Sequence, residues 1–213
     1  MTRVKKGDFI EVSYVGKVAS TQVIFDLTDE KLAKEQHIYN PNHVYRPLII
    51  CIGEAQILKG IDDNLVGKEV EKTYHIDLNV ENAFGKKDPK LIKIIPSSVF
   101  HKQNIDVFPG MQVTVDRILG IVRVVSGGRV IVDFNHPLAG KDVYYELTII
   151  RIIEDKKEEI ESLFKFMGIS AGISLEGYHA SISLEKELPE KMKKDLSDKI
   201  KRLVKVESVE FSK

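Results

Sequence analysis

Seven side chains in this sequence could serve as nucleophile, general base or soft metal ligand: Cys51, His37, His43, His75, His101, His136 and His179. Their spacing serves none of those chemistries. No two histidines form a His-x-x-x-His pair, the single cysteine excludes a Cys-x-x-Cys site, and no acidic run has the pattern of a calcium loop. The glycine-basic fragments "GKEVEK", "SGGR" and "LAGK" lack the spacing and the Ser or Thr of a phosphate-binding loop, and read as turns. "DLTDE" and the pair Asp62–Asp63 read as ordinary solvated acids. Covalent catalysis, a bound metal and a cofactor are therefore not expected.

What is left is a set of apolar and aromatic residues, Tyr14, Phe25, Ile50, Ile57, Leu58, Ile61, Phe84 and Tyr145. Taken singly, each reads as core. Taken together, they fit a chemistry that needs a shaped apolar surface and no reactive group.

The elements that must position them follow from periodicity. "DFIEVSYVGKV" alternates as a half-buried strand, and "TQVIFDLT" follows as a second one. "DEKLAKEQHIYNPNHVYRP" reads as a loop with one helical turn, ending in Asn-Pro and Arg-Pro turn signals. "PLIICIG" is continuously apolar and β-branched, so a central strand is expected there. In "GEAQILKGIDDNLVGKEV", Ile57, Leu58, Ile61, Leu65 and Val66 fall at helical spacings between Gly53 and Gly67. "EKTYHIDLNV" returns to strand. Four brief strands, "LIKII", "MQVTV", "GIVRVV" and "RVIVDF", are then separated by Pro-Ser-Ser, Pro-Gly and Ser-Gly-Gly, which marks a small β unit over about 86–135. "KDVYYELTIIRII" is a long strand able to pair back with the first part.

From residue 154 the pattern is α-β-β-α-β. One helix carries Ile160, Leu163, Phe164 and Met167 on one face, and a second, opened by Pro189, carries Met192, Leu196, Ile200 and Leu203. A core of about 60 residues is marginal alone, so docking or a homodimer through this segment is expected. The fold class is α+β. With 32 basic against 32 acidic residues, nothing draws the chain to nucleic acid, and no stretch approaches a membrane span. The start of the sequence carries no signal-peptide pattern, so a cytoplasmic location is expected.

The order "VSYVGKV", "FD" at Phe25–Asp26, "PLIICIGEAQILKGID" and "NAFG" resembles the FKBP-type peptidyl-prolyl cis-trans isomerases. The likeness covers about 1–85 and 136–153, and residues 86–135 are similar to the insert-in-flap domain of the long archaeal, SlyD-like branch. It implies an FKBP-like antiparallel sheet wrapped on a short helix, an inserted small β domain, and a C-terminal α/β domain at 154–213. It further implies that Tyr14, Phe25, Asp26, Ile57, Leu58, Phe84 and Tyr145 catalyse X-Pro rotation, with Ile50 and Ile61 lining the prolyl pocket. Two positions depart from the commonest pattern. Ile61 stands where members usually carry Trp, giving an aliphatic and wider floor, and Phe84 replaces a Tyr, removing a hydroxyl. The His-rich metal-binding tail of some SlyD proteins is missing, so no metal is carried over.

The resemblance implies unfolded or nascent proline-containing polypeptides as partners. Within the insert, Ile94, Ile95, Val99, Phe100, Val107, Phe108 and Met111 are expected to be exposed and to hold the client. The alternative is a holdase-type chaperone or peptide-binding module with weak or no isomerase activity.

Overall fold

The computed structural model describes residues 2–212. Its elements are the strands β1 (Phe9–Val18), β2 (Ile24–Leu27), β3 (Leu48–Cys51), β4 (Lys72–Leu78), β5 (Ile92–Pro96), β6 (Gln112–Val115), β7 (Ile118–Ser126), β8 (Arg129–Asp133), β9 (Val143–Ile153), β10 (Ala171–Glu176), β11 (His179–Leu184) and β12 (Ser208–Ser212). The helices are α1 (Glu30–Glu35), α2 (Lys59–Leu65), α3 (Ser97–His101), α4 (Lys156–Phe166) and α5 (Glu190–Val204). No helix among the described residues is long and apolar enough to cross a membrane. The described residues form two compact units, one of residues 2–17, 22–77 and 144–212, the other of residues 18–21 and 78–143.

In the first unit the sheet runs β2-β1-β9-β4, with β3 also paired to β1. Both β2 and β3 are antiparallel to β1: Gly16 faces Asp26, and Ile10 faces Ile50. Strand β3 is thus at the sheet margin, paired only with β1 and not central as its apolar run implied. The run has another cause. Helix α4 packs against β3 and Cys51 shares its core, while Ile50, on the opposite face, is buried as well, although the strand has one neighbour.

The segment after residue 154 folds as α4, β10, β11, α5 and β12. Strands β10 and β11 are antiparallel, and β11 and β12 are parallel, with α5 as the crossover. Asp155 caps α4 by accepting from the Lys157 N–H at 3.0 Å, and Glu158 and Glu159 occupy its first turn, where the helix dipole favours acids. The apolar stripes of both helices meet the sheet: Ile160, Phe164, Ile182, Ile200 and Val204 share one core with Phe9, Cys51 and Ile153. This core is therefore shared with strands of the first part of the chain, while Met167 and Met192 of the expected stripes stay exposed.

Burial on α4 also has a pH signature. Desolvation pushes the Glu159 carboxyl up to about 7 from an ordinary 4.5. Between those values the folded chain holds a proton that the unfolded chain releases, so stability falls as pH rises through this window and is flat above it. Glu159 is only part-buried, so solvent screening reduces the effect to about 1 kcal/mol. Urea unfolding should find Glu159→Gln close to the parent at pH 5 and more stable by that amount at pH 8. An identical difference at both values would contradict this account.

The second unit is built on the antiparallel sheet β5-β8-β7-β6, with a bulge between Val122 and Val124. Pro96-Ser97-Ser98, which reads as a separator in the sequence, instead opens helix α3, since proline suits a helix start. Helix α3 inserts Phe100 into a core with Val113, Val122, Val130 and Val132.

Candidate functional site

The first unit brings four of the expected residues together around Gly16. Tyr14 projects from β1, and its hydroxyl donates to Asp26 Oδ2 at 3.0 Å. The pairing of Gly16 with Asp26 sets that reach, because β2 runs antiparallel to β1 there. Tyr145, on β9, stands edge-on to both Tyr14 and Phe25, with ring centroids 5.7 Å apart in each case. Such edge-to-face contacts are favourable beyond simple burial. The Phe25 and Tyr145 rings lie directly over the Gly16 backbone. A Cβ there would meet Phe25 Cζ at 2.8 Å and Tyr145 Cε1 at 2.9 Å.

Burial, then the Asp26 charge, raises both phenols well above the ordinary tyrosine value. Both therefore stay protonated near neutral pH. Tyr14 spends its proton on Asp26, whereas the Tyr145 hydroxyl has no hydrogen-bond partner among the described residues.

Ile57 and Leu58 sit half-buried on the loop entering α2. Neither residue's backbone N–H donates to any described group, leaving two donors available to a ligand. The loop is shaped by a carboxylate that sequence reasoning missed. Asp62, taken there as a solvated acid, is only 6% exposed and accepts from the Gly53 N–H at 2.9 Å and the Ala55 N–H at 3.3 Å. Gly53 and Ala55 have φ of 90° and 52°, left-handed geometry that these bonds help to hold. A second brace comes from Gln56 Oε1, which accepts the Cys51 N–H at 2.6 Å.

Ile50 and Ile61, expected to line the pocket, are almost fully buried at 1% and 0% exposed, as is Tyr145 at 3%. Phe84 belongs to the second unit, where its ring stacks on His136 at 4.7 Å.

Beside Phe25 and Asp26 is a cleft of about 210 Å³, whose other walls include Ile38, Asn40, His43 and Tyr45. Tyr45 stacks on Tyr39 at 5.5 Å and meets the His43 ring at 4.6 Å. The only sequence signals for this aromatic group were its Asn-Pro and Arg-Pro turns.

The insert's expected client-binding set divides. Ile94, Val99 and Phe108 are exposed, at 64%, 37% and 61%. Ile95, Val107 and Met111 are part-buried against the insert's core. Phe100 is 3% exposed and belongs to that core, because α3 turns it inward. Exposed apolar residues of the insert not singled out from the sequence are Leu91, Ile92, Ile118, Leu119, Val124 and Val125.

Comparison with known proteins bears on these observations. The family model described as FKBP-type peptidyl-prolyl cis-trans isomerase matches residues 1–101, and the one described as FKBP26, IF domain matches residues 93–138. The short-type peptidyl-prolyl cis-trans isomerase of Methanocaldococcus jannaschii is 30% identical over 146 residues, which is 68% of this chain and 92% of that protein. The probable FKBP-type 16 kDa isomerase of Pseudomonas fluorescens is 32% identical over 111 residues, covering 50% of this chain and 73% of that one. The SlyD isomerase of Haemophilus influenzae is 30% identical over 120 residues, or 54% and 62% respectively.

Proposed function

This chain belongs to the FKBP-type peptidyl-prolyl cis-trans isomerases, and we propose that it turns X-Pro bonds of unfolded or nascent chains at the aromatic cluster over Gly16, with residues 86–135 holding the client. The observation that carries the site is the closing of Phe25 and Tyr145 on Gly16, with Tyr14 edge-on to Tyr145 and bonded to Asp26.

Rotation about an X-Pro bond is slow because amide resonance must be broken, at a cost of roughly 18–20 kcal/mol. No bond is made and no proton must move. The twisted amide has less charge separation than the planar one, so an apolar surface binds it preferentially. The Ile57 and Leu58 N–H groups anchor the substrate's carbonyl oxygens, and Ile50 and Ile61 back the wall from beneath. The Tyr145 hydroxyl supplies the donor that Phe84 lacks, while Asp26 holds Tyr14 in place. Lowering the barrier by about 4 kcal/mol accelerates rotation roughly a thousandfold.

The exposed apolar side chains of the insert support the holding role. They also favour the second reading, a holdase with little isomerase activity. Replacing residues 86–135 by a short loop separates the two. Refolding of a proline-limited protein should slow by about tenfold or more, through loss of local client concentration, with tetrapeptide turnover retained. An undiminished refolding rate would remove the client-holding role. A tetrapeptide rate at background in the intact chain would select the holdase.

A further inference from the structure

The loop that carries Ile57 and Leu58 is gripped from a second side. Its Glu54 carboxylate accepts both arms of the Arg202 guanidinium, Nη1 to Oε1 at 2.7 Å and Nη2 to Oε2 at 3.0 Å. Lys199 Nζ stands 3.4 Å from Glu54 Oε2. Arg202 and Lys199 are three residues apart and so share one face of α5. The Glu54 side chain is only 15% exposed, and its hydrogen bonds to Arg202 hold its carboxyl below the usual range.

The cluster is not needed to dock α5, which is already seated by buried Leu196, Ile200 and Val204. The loop is the weaker partner. None of its residues from Gly53 to Leu58 is buried, and two have positive φ. What the ion pairs add therefore falls on the loop.

We propose that Glu54 is a positioning residue through which α5 clamps the loop, so that the C-terminal segment sets the placement of Ile57 and Leu58 during isomerisation. This rests on the reading of that loop as a pocket wall. Asp62 fixes the loop from inside, and the α5 cations fix it from outside. Because Arg202 is 61% exposed, the clamp loosens as salt screens the pair. Activity is then coupled to a segment that touches no substrate.

The test is tetrapeptide isomerisation by the full chain from about 0.05 M to about 1 M salt, comparing the parent with Glu54→Gln, Arg202→Gln, the swap Glu54→Arg with Arg202→Glu, and Leu58→Ala. At low salt the two single charge variants should lose about fivefold, the scale of a partly exposed ion pair expressed as a rate. The loss should fall mainly in kcat, with melting temperature little changed. The parent rate should decline towards theirs as salt rises, the Glu54→Gln rate should be flat, Arg202→Gln should keep a weaker salt dependence through Lys199, and the swap should recover part of the loss. Parent-like kcat and salt profile in Glu54→Gln, with Leu58→Ala impaired, would overturn the clamp alone. An unimpaired Leu58→Ala would overturn the wall reading, and the clamp with it.

Discussion

Gly16→Ala is expected to lower tetrapeptide kcat/KM by about tenfold to a hundredfold in a chain that still folds. The reason is steric. Gly16 lies in β1 without a left-handed φ, so alanine suits its backbone. The added Cβ, however, would sit 2.8 Å from Phe25 Cζ and 2.9 Å from Tyr145 Cε1. Tyr145 cannot withdraw freely, since it is also packed edge-on against Tyr14 at 5.7 Å. Overpacking of this kind costs about 1–3 kcal/mol of stability, which a stable domain survives. A ring displacement near 1 Å costs about a hundredfold in rate where geometry does the catalysis. Near-ultraviolet circular dichroism would confirm that the variant is folded, and isomerisation would report the site. A folded variant with parent kcat/KM would show that substrate does not bind against these rings.

Asp133→Ala should have the largest effect on stability, and it should fall on the insert. Asp133 is 2% exposed at the end of β8. Its Oδ2 accepts from Lys87 Nζ at 2.8 Å and from Arg123 Nη2 at 3.0 Å, and its Oδ1 accepts from the Asn135 N–H at 3.0 Å. Burial by itself would raise this carboxyl, but the Lys87, Asn135 and Arg123 hydrogen bonds win and hold it well below the usual range. The stabilisation is therefore present above the ordinary carboxylate value and is lost as pH falls below it. Breaking a fully buried ion pair costs about 3–5 kcal/mol. Lys87 and Arg123 are 41% and 45% exposed and regain water when the acid is removed, so about 2–3 kcal/mol is expected here. Hydrogen exchange of the β7 and β8 amides should accelerate accordingly. Client refolding should weaken while tetrapeptide turnover holds, and unchanged exchange in those strands would refute the assignment.

The strands were legible because period-two alternation reports burial directly, and most of the expected elements stand where alternation or helical spacing placed them. What alternation does not report is which neighbour does the burying. Strand β3 looked central partly because α4, more than a hundred residues later, covers its Cys51 face. Phe100 was expected at the surface because the five residues of α3, Ser97–His101, carry too little periodicity to announce a helical turn. At the candidate site, the aromatic residues were visible through their order along the chain. Their supports were not. Gly16 matters only through rings brought to it from β2 and β9, and Asp62 matters only through N–H groups seven and nine residues before it. Both roles arise from folding, with no local pattern to mark them.

The central claim is that an apolar aromatic surface, with no nucleophile and no general base, turns X-Pro bonds. Catalysed cis-trans relaxation of a proline tetrapeptide tests it most directly, with the parent beside Asp26→Ala and with pH varied from about 6 to about 8, the range in which an ordinary histidine titrates. The account predicts a clear rate above background in the parent, a lower one in Asp26→Ala through loss of the Tyr14 bond, and little dependence on pH. A parent rate at background, or one rising and falling with the titration of a histidine, would contradict it.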